Sequence, residues 1–242
     1  GELVDILPSR KLDKIIPYFN RSPLEEREKV KFLVTDMNAA YFQLTKNVFP
    51  TAKLIIDRFH IVKHLNTAFN DFRVREMKRL ITNKKKSKAN KLKSNWKLLL
   101  KNQTNISISE FKTWRSFPSP KYHLLTESMV IDRLLSFSSE LKEAYDIFHL
   151  LMYHFRNKDD RSFFELLKNL PDSLDTQFRD KIENLISYEE GIRNALKYNF
   201  SNGKIEAKNT HIKTLKRVSY GFNSFTNMRI RIFLINSLIK IK

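Results

Sequence analysis

Two short apolar runs, Lys31-Phe32-Leu33-Val34-Thr35-Asp36 and Lys53-Leu54-Ile55-Ile56-Asp57, frame the stretch from Val30 to His64. Each ends in an aspartate. Between them, Tyr41, Leu44 and Val48 recur at i, i+3 and i+7, the spacing of one helical face. The stretch therefore predicts a strand, a helix and a strand. A unit of this length makes a parallel pair with a right-handed crossover. In open sheets of this kind ligands gather beyond the carboxyl ends of the strands, where Asp36 and Asp57 both fall. Two carboxylates at one sheet edge are costly to crowd together unless a cation or a proton is shared, so this edge is a candidate metal site.

A chain of 242 residues holds one large domain or two small ones. It carries 45 basic against 26 acidic residues, a formal charge of +19, which favours a polyanion as partner. Its hydrophobic content, 41%, is enough for a real core and excludes a disordered basic tail. The absence of cysteine excludes disulfides and thiolate zinc sites. No apolar run approaches the roughly 18 residues that span a bilayer, and no signal-peptide pattern opens the chain. The expectation is a cytoplasmic protein with no membrane partner. Four glycines and seven prolines argue for long helices over a many-turned β protein.

Working outward from the central stretch, Leu3 to Leu7 reads as a short strand stopped by Pro8. Ser9 to Asn20 has Leu12, Ile15, Ile16 and Phe19 at helical spacing. Ser22 is placed to cap a short helix with Pro23 at its first position. From Phe59 the pattern is helical. Arg73 to Lys101 holds twelve Lys or Arg and one acid, Glu76. Its densest part, Lys84-Lys85-Lys86-Ser87-Lys88, breaks the periodicity and predicts an exposed loop. Helix resumes over Asn95–Lys101, and Ser109 is expected to cap a short helix with Phe111 and Trp114. Tyr122 to Phe155 is the longest periodic stretch. Asp160–Leu170 and Ser173–Leu196 are two more amphipathic helices, divided at Pro171.

A second stretch, Ser201 to Arg217, opens on the turn and cap signal Ser201-Asn202-Gly203. At about 100° per residue, Glu206, Lys213 and Arg217 lie within about 40° on one stripe of the helix that follows. Ile205, Ile212 and Leu215 lie on the neighbouring face and are expected to bury. One acid on a basic stripe fits a carboxylate aimed at a metal, with cations beside it for phosphates. Tyr220-Gly221-Phe222 ends that helix, and Asn227 to Ile241 closes the chain as another.

These residues carry a resemblance. Val34-Thr35-Asp36-Met37-x-x-x-Tyr41, Phe49-Pro50-x-Ala52 and Asp57-Arg58-Phe59-His60 resemble the transposases of bacterial insertion sequences, in the ISL-type branch of the DDE class. So do Ser201-Asn202-Gly203-x-x-Glu206-x-x-Asn209-x-x-Ile212-Lys213-x-x-Lys216-Arg217, Tyr220-Gly221-Phe222 and Asn227-x-Arg229-x-Arg231-Ile232. The resemblance covers nearly the whole chain. It implies an α/β fold with dominant helix: a partial RNase H-like core interrupted by a large all-α insertion. The core would occupy 1–58 and 199–242, and the insertion 59–198. It also implies three carboxylates holding two divalent ions, Mg²⁺ or Mn²⁺, for in-line displacement at phosphorus. Position by position, Asp36 matches the second catalytic acid and metal ligand and Glu206 the third. Asp57 and His60 match a supporting acid-x-x-His element. Nothing matches the strand that bears the first acid, and Asp5, in what resembles the third strand, is a poor stand-in. The zinc-binding and helix-turn-helix segments of the family are unmatched as well. The expectation is a C-terminal catalytic-region fragment that does not transpose alone. Its partner would be DNA, both element ends and target, and a homodimer is compatible. Lys213, Lys216, Arg217, Arg229 and Arg231, with Lys84, Lys85 and Lys86, are the expected phosphate contacts.

Blander readings stand beside these. Asp36 and Glu206 can be carboxylates that merely favour a helix dipole. Asp57 can be an ordinary strand-end acid and His60 a half-buried histidine. His60 and His64, at i and i+4, can hold a metal, though no third ligand is evident. Trp96 and Trp114 can stack on an unpaired base or fill a core. Two other functions remain: a basic helical nucleic-acid-binding protein with no chemistry, and a metal-dependent nuclease on the same core.

Overall fold

The computed structural model describes residues 3–38, 40–236 and 238–239. It divides into two compact units, residues 1–57 with 198–242 and residues 58–197.

In the first unit, helix α1 (Leu12–Phe19) follows the predicted apolar spacing, with Pro17 in its last turn. Helix α2 (Leu24–Glu28) starts one residue later than expected. Pro23 takes the cap position and no side chain caps the helix, so Ser22 does not play that part. Strand β1 (Phe32–Thr35), helix α3 (Ala40–Val48) and strand β2 (Lys53–Ile56) follow the sequence pattern. The strands pair in parallel, from Phe32 opposite Lys53 to Thr35 opposite Ile56. Flanking bonds, Lys53 N–H to Lys31 O at 2.9 Å and Asp57 N–H to Thr35 O at 2.9 Å, extend the ladder to the doorstep of both aspartates. Ile15, Leu44, Val48 and Phe49 form a buried cluster, with Leu7, Leu12, Phe19 and Leu33 packed on it.

The strand expected at Leu3–Leu7 is absent; these residues are irregular. Leu7 still reaches the apolar cluster. Asp5, however, is drawn into side-chain bonds: it accepts from Tyr18 Oη at 2.7 Å and from the Ile6 amide at 2.6 Å. Such local side-chain bonds compete with the ladder that a strand requires.

The second unit is helical. Helix α4 (Arg58–Thr82), 25 residues long, buries Ile61, Leu65, Ala68, Phe69, Phe72 and Leu80 along one face. Then come α5 (Lys86–Ser94), α6 (Trp96–Leu99), a 3-10 turn at Gln103–Asn105, α7 (Glu127–Leu135), α8 (Ser139–Arg156), α9 (Asp160–Lys168), α10 (Thr176–Glu183), a second 3-10 turn at Asn184–Tyr188, and α11 (Glu189–Lys197). Phe69 stacks on Phe148, centroids 4.9 Å apart and planes 11° off parallel, at the centre of the unit's core.

Four expectations are corrected here. Ser173–Leu196 is not one helix but α10, the second 3-10 turn and α11. The lysine run is not a loop throughout. The chain turns at Asn83–Lys85, and α5 begins at Lys86 because Ala89 and Leu92 bury on the side away from the lysines. The Phe111–Trp114 segment is not a helix. Lys112 bridges Leu125 and Trp114 bridges Phe117, both antiparallel, next to Pro118 and Pro120. The long periodic stretch over Tyr122–Phe155 is two helices. Thr126 accepts from Met129 N–H at 3.2 Å, and Ser138 from Leu141 N–H at 3.0 Å. Each side chain satisfies an amide that a helix start leaves unpaired.

The chain ends in α12 (Gly203–Val218) and α13 (Phe225–Ile235), both in the first unit. The expected continuation of α13 to Ile241 reaches outside the described residues. No residue of α12 is buried, and Ile205, expected inside, is 62% exposed. No helix among the described residues is long and apolar enough to cross a membrane.

Candidate active site

Asp36 follows the last residue of β1 and Asp57 the last of β2, so the parallel register sets the two aspartates side by side at the strand ends. They differ in environment. Asp57 is 3% exposed, whereas Asp36 faces solvent. Asp57 Oδ2 accepts a short bond, 2.5 Å, from the backbone amide of Asn202. The Asn202 side chain donates through Nδ2 to Asp36 Oδ1 at 3.2 Å. One residue at the start of α12 therefore binds both strand-end acids. Asn202 occupies the N-cap position without capping the helix through its side chain; its backbone is helical there, φ −79° and ψ 0°, and not the extended form from which an N-cap side chain reaches back. The Asn-Gly pair reads as a turn in sequence; its second use, across 145 and 166 residues of chain, has no local signal.

Glu206 lies in the first turn of α12, its amide bonded to Asn202 O at 2.9 Å. A carboxylate is favoured there by the partial positive charge of the helix N-terminus. Asp36, Asn202, Glu206 and Asn209 share the rim of one cleft of about 320 Å³, whose wall is Leu7, Ile15, Leu33 and Leu44. Two of the three motif acids thus border one cavity, and the third is tied to it through Asn202. Among the described residues no three His, Cys, Asp or Glu side chains stand close enough to hold a metal.

Asp5 is committed elsewhere. Arg229 pairs with it, Nη2 to Oδ1 at 2.9 Å and Nε to Oδ1 at 3.0 Å. Burial pushes the Asp5 carboxyl up, but bonds from Tyr18, the Ile6 amide and Arg229 outweigh it and hold the group below its usual range. The pair ties α13 to the start of the chain, and within α13 the Arg229 guanidinium lies 4.6 Å from the Phe233 ring centroid. Lys213, Lys216, Arg217 and Arg231 are exposed and form no ion pair among the described residues. Tyr220, just past α12, has φ 52° and is fully exposed. Its amide reaches Arg217 O at 3.1 Å and that of Gly221 reaches Lys216 O at 2.9 Å, which closes the helix in a Schellman turn.

The remaining residues singled out belong to the helical unit. His60 sits half-buried in the first turn of α4, its ring 5.5 Å from that of Phe59. His64 Nε2 lies 2.6 Å from Lys181 O, which occupies one of its two ring nitrogens. Lys84 and Lys85 form the turn after α4, and Lys86 opens α5. Trp96 is partly exposed on α6, and Trp114 is half-buried with its indole N–H donated to Leu125 O at 2.9 Å.

No solved structure matches the chain. A curated protein of Lactococcus lactis subsp. lactis, described as an ATP-dependent protease, is 40% identical over 113 residues. That match covers 46% of this chain and 35% of the relative, so the chain spans about a third of that protein's length. The pattern that defines the ISL3-type DDE transposases, described as Transposase, matches residues 1–232, and this chain belongs to that family.

Proposed function

We propose that this chain carries part of the catalytic centre of a DNA transposase, with Asp36 and Glu206 as acids of that centre and Asp57 as its support. The observation that carries this is Asn202, which bonds Asp36 and Asp57 at once and stands one helical turn before Glu206. The arrangement fits an RNase H-like core, in which β1, α3 and β2 form one part, α12 brings the next acid, and the helical unit is inserted between them.

Asp36 and Glu206 suit one Mg²⁺, which is commonly held by one or two carboxylates with waters completing its octahedron. A bound divalent ion would neutralise charge at the phosphate under attack and lower the pKa of the attacking water or hydroxyl. The chain's own residues hold and orient. Asn202 fixes the position of Asp36. Lys213 and Arg217, on the Glu206 stripe, offer phosphate contacts that position DNA without reading sequence. A two-ion site asks for another acid. Asp5, held by Arg229 and Tyr18, is not free to supply it.

The Lactococcus match does not favour a protease reading. ATP-dependent chemistry commonly uses a G-x-x-x-x-G-K-[ST] loop, and the four glycines, at 1, 191, 203 and 221, cannot compose one within this stretch.

The test is nicking of supercoiled plasmid with Mn²⁺, by the chain and by its Asp36→Ala and Glu206→Ala forms. Calorimetric titration with Mn²⁺ accompanies it. Weak nicking and Mn²⁺ binding, both lost in each variant, are expected. Mn²⁺ binding or nicking unchanged in both variants would sink the assignment of these acids. DNA binding without Mn²⁺ binding would favour the non-catalytic reading.

A further inference from the structure

A groove larger than the acid cleft lies in the helical unit, between α5 and the Trp114–Ser116 segment, with a volume of about 1050 Å³. Lys86, Lys91, Lys93 and Arg115 line it with Asn90 and Trp114, and no described carboxylate does. The buried face of α5, Ala89 and Leu92, sets this cationic face outward.

A row of lysines on a helix is ordinarily a solvated face. Two features bear on this one. Some other surface cations of the unit are matched: Lys101 with Glu127 at 2.5 Å, Lys168 with Glu189 at 2.8 Å, Lys181 with Asp71 at 2.5 Å, Arg179 with Asp172 at 3.2 Å. Lys86, Lys93 and Arg115 have no such partner among the described residues. The groove is also built, not merely charged. Asn95 Nδ2 donates to Lys91 O at 2.7 Å and to Ser116 Oγ at 3.0 Å, which ties the end of α5 to the opposite wall. Trp114 is held by its bond to Leu125 O. With its N–H committed inward, what it offers the groove is apolar ring surface.

We propose that this groove binds one strand of unpaired DNA, phosphates against Lys86, Lys93 and Arg115 and a base against the ring of Trp114. Lys86 and Lys93 are seven residues apart, about 10.5 Å along the helix, so they meet different phosphates of one strand. A ring beside cations is the arrangement that binds single strands, since every unpaired base has a face to stack and a paired one does not. The choice of DNA rests on the transposase reading; the groove and its preference for an unstacked polyanion do not.

The test uses the full chain and a fluorescein-labelled oligothymidylate. Anisotropy reports binding. In a Trp96→Phe background, Trp114 is the remaining indole, and its fluorescence reports stacking. The triple variant K86Q/K93Q/R115Q, checked for unchanged circular dichroism, is expected to bind roughly tenfold or more weakly. Its plot of log affinity against log salt should be shallower by about 2, at ~0.7 for each phosphate that the variant no longer neutralises. Single-stranded DNA should quench Trp114 and duplex of the same length should not. Unchanged affinity in the triple variant, no quenching at saturation, or equal quenching by duplex would each overturn the proposal. Asp36→Ala and Glu206→Ala should leave this binding unchanged. A chain that nicks plasmid yet fails these tests loses the groove alone; one that passes them without Mn²⁺ binding loses the catalytic reading alone.

Discussion

His149 makes the stability of the helical unit depend on pH in a calculable way. It is buried in α8, with Nε2 donating to Leu99 O at 3.0 Å. Burial lowers its pKa from 6.5 to about 4, and nearby Arg156 adds to that; the bond to Leu99 O opposes it only in part. The folded state therefore keeps the ring neutral where the unfolded chain protonates it. Between pH 6.5 and 4 the unfolded state binds more protons, so stability falls as pH falls through that window. For one site with these two values the loss from pH 7.5 to pH 5 is about 2 kcal/mol, and the full shift is worth about 3 kcal/mol at 1.36 per pKa unit. The measurement is urea unfolding of the wild type and of His149→Gln, whose side-chain amide still donates to Leu99 O, at pH 7.5, 6.0 and 5.0. Differencing the two removes the other five histidines and the carboxylates. The wild type should lose about 2 kcal/mol more than the variant over this range. Parallel curves would mean that His149 titrates near its ordinary value and that the bond to Leu99 O is not a neutral imidazole's.

Asn202→Ala should keep the backbone bond to Asp57 and lose the one to Asp36. Global stability should fall by about 0.5–1.5 kcal/mol, the net worth of one hydrogen bond, while Mn²⁺ affinity measured by calorimetry falls more sharply; equal affinity would remove Asn202 from the site. Lys84 and Tyr220 occupy left-handed positions, φ 58° and 52°, at the Schellman turns that end α4 and α12. Lys84→Gly and Tyr220→Gly should each stabilise by about 0.5–1 kcal/mol in chemical denaturation, since glycine carries no Cβ penalty there and only part of that gain is offset by its greater freedom when unfolded. A loss of stability in either would contradict the left-handed assignment. Phe69→Ala, removing the ring stacked on Phe148, should cost about 3–5 kcal/mol by thermal or urea unfolding; a cost under about 1 kcal/mol would mean that this stacked pair is not the centre of the core.

Periodicity was a sound guide wherever one element met its neighbour in sequence. The parallel pair of β1 and β2 followed from two apolar runs around one helix-spaced segment, and α1 from Leu12, Ile15, Ile16 and Phe19. Where a local competitor intervened it misled. The Leu3–Leu7 run has strand composition, yet Asp5 bonds to Tyr18, Ile6 and Arg229 and the segment stays irregular. Thr126 and Ser138 cut one apolar period into two helices, a signal visible in the sequence as cap residues before an acid. The lysine run looked too charged for helix, but α5 needs only Ala89 and Leu92 on its inner side.

The sequence by itself determined the family, through motif blocks that match residues 1–232, and the residue types set at the ends of β1 and β2 and in the first turn of α12. Tertiary structure decided which of those residues meet. Asn202 joins Asp36 and Asp57 across more than 140 residues of chain, Asp5 closes on Arg229 across 224, and Lys93 shares a groove with Trp114 and Arg115. Periodicity records which face of one element is buried, a property of neighbours three or four residues apart. Which distant side chain fills a given hydrogen-bonding position depends on how elements pack, and no local pattern carries that.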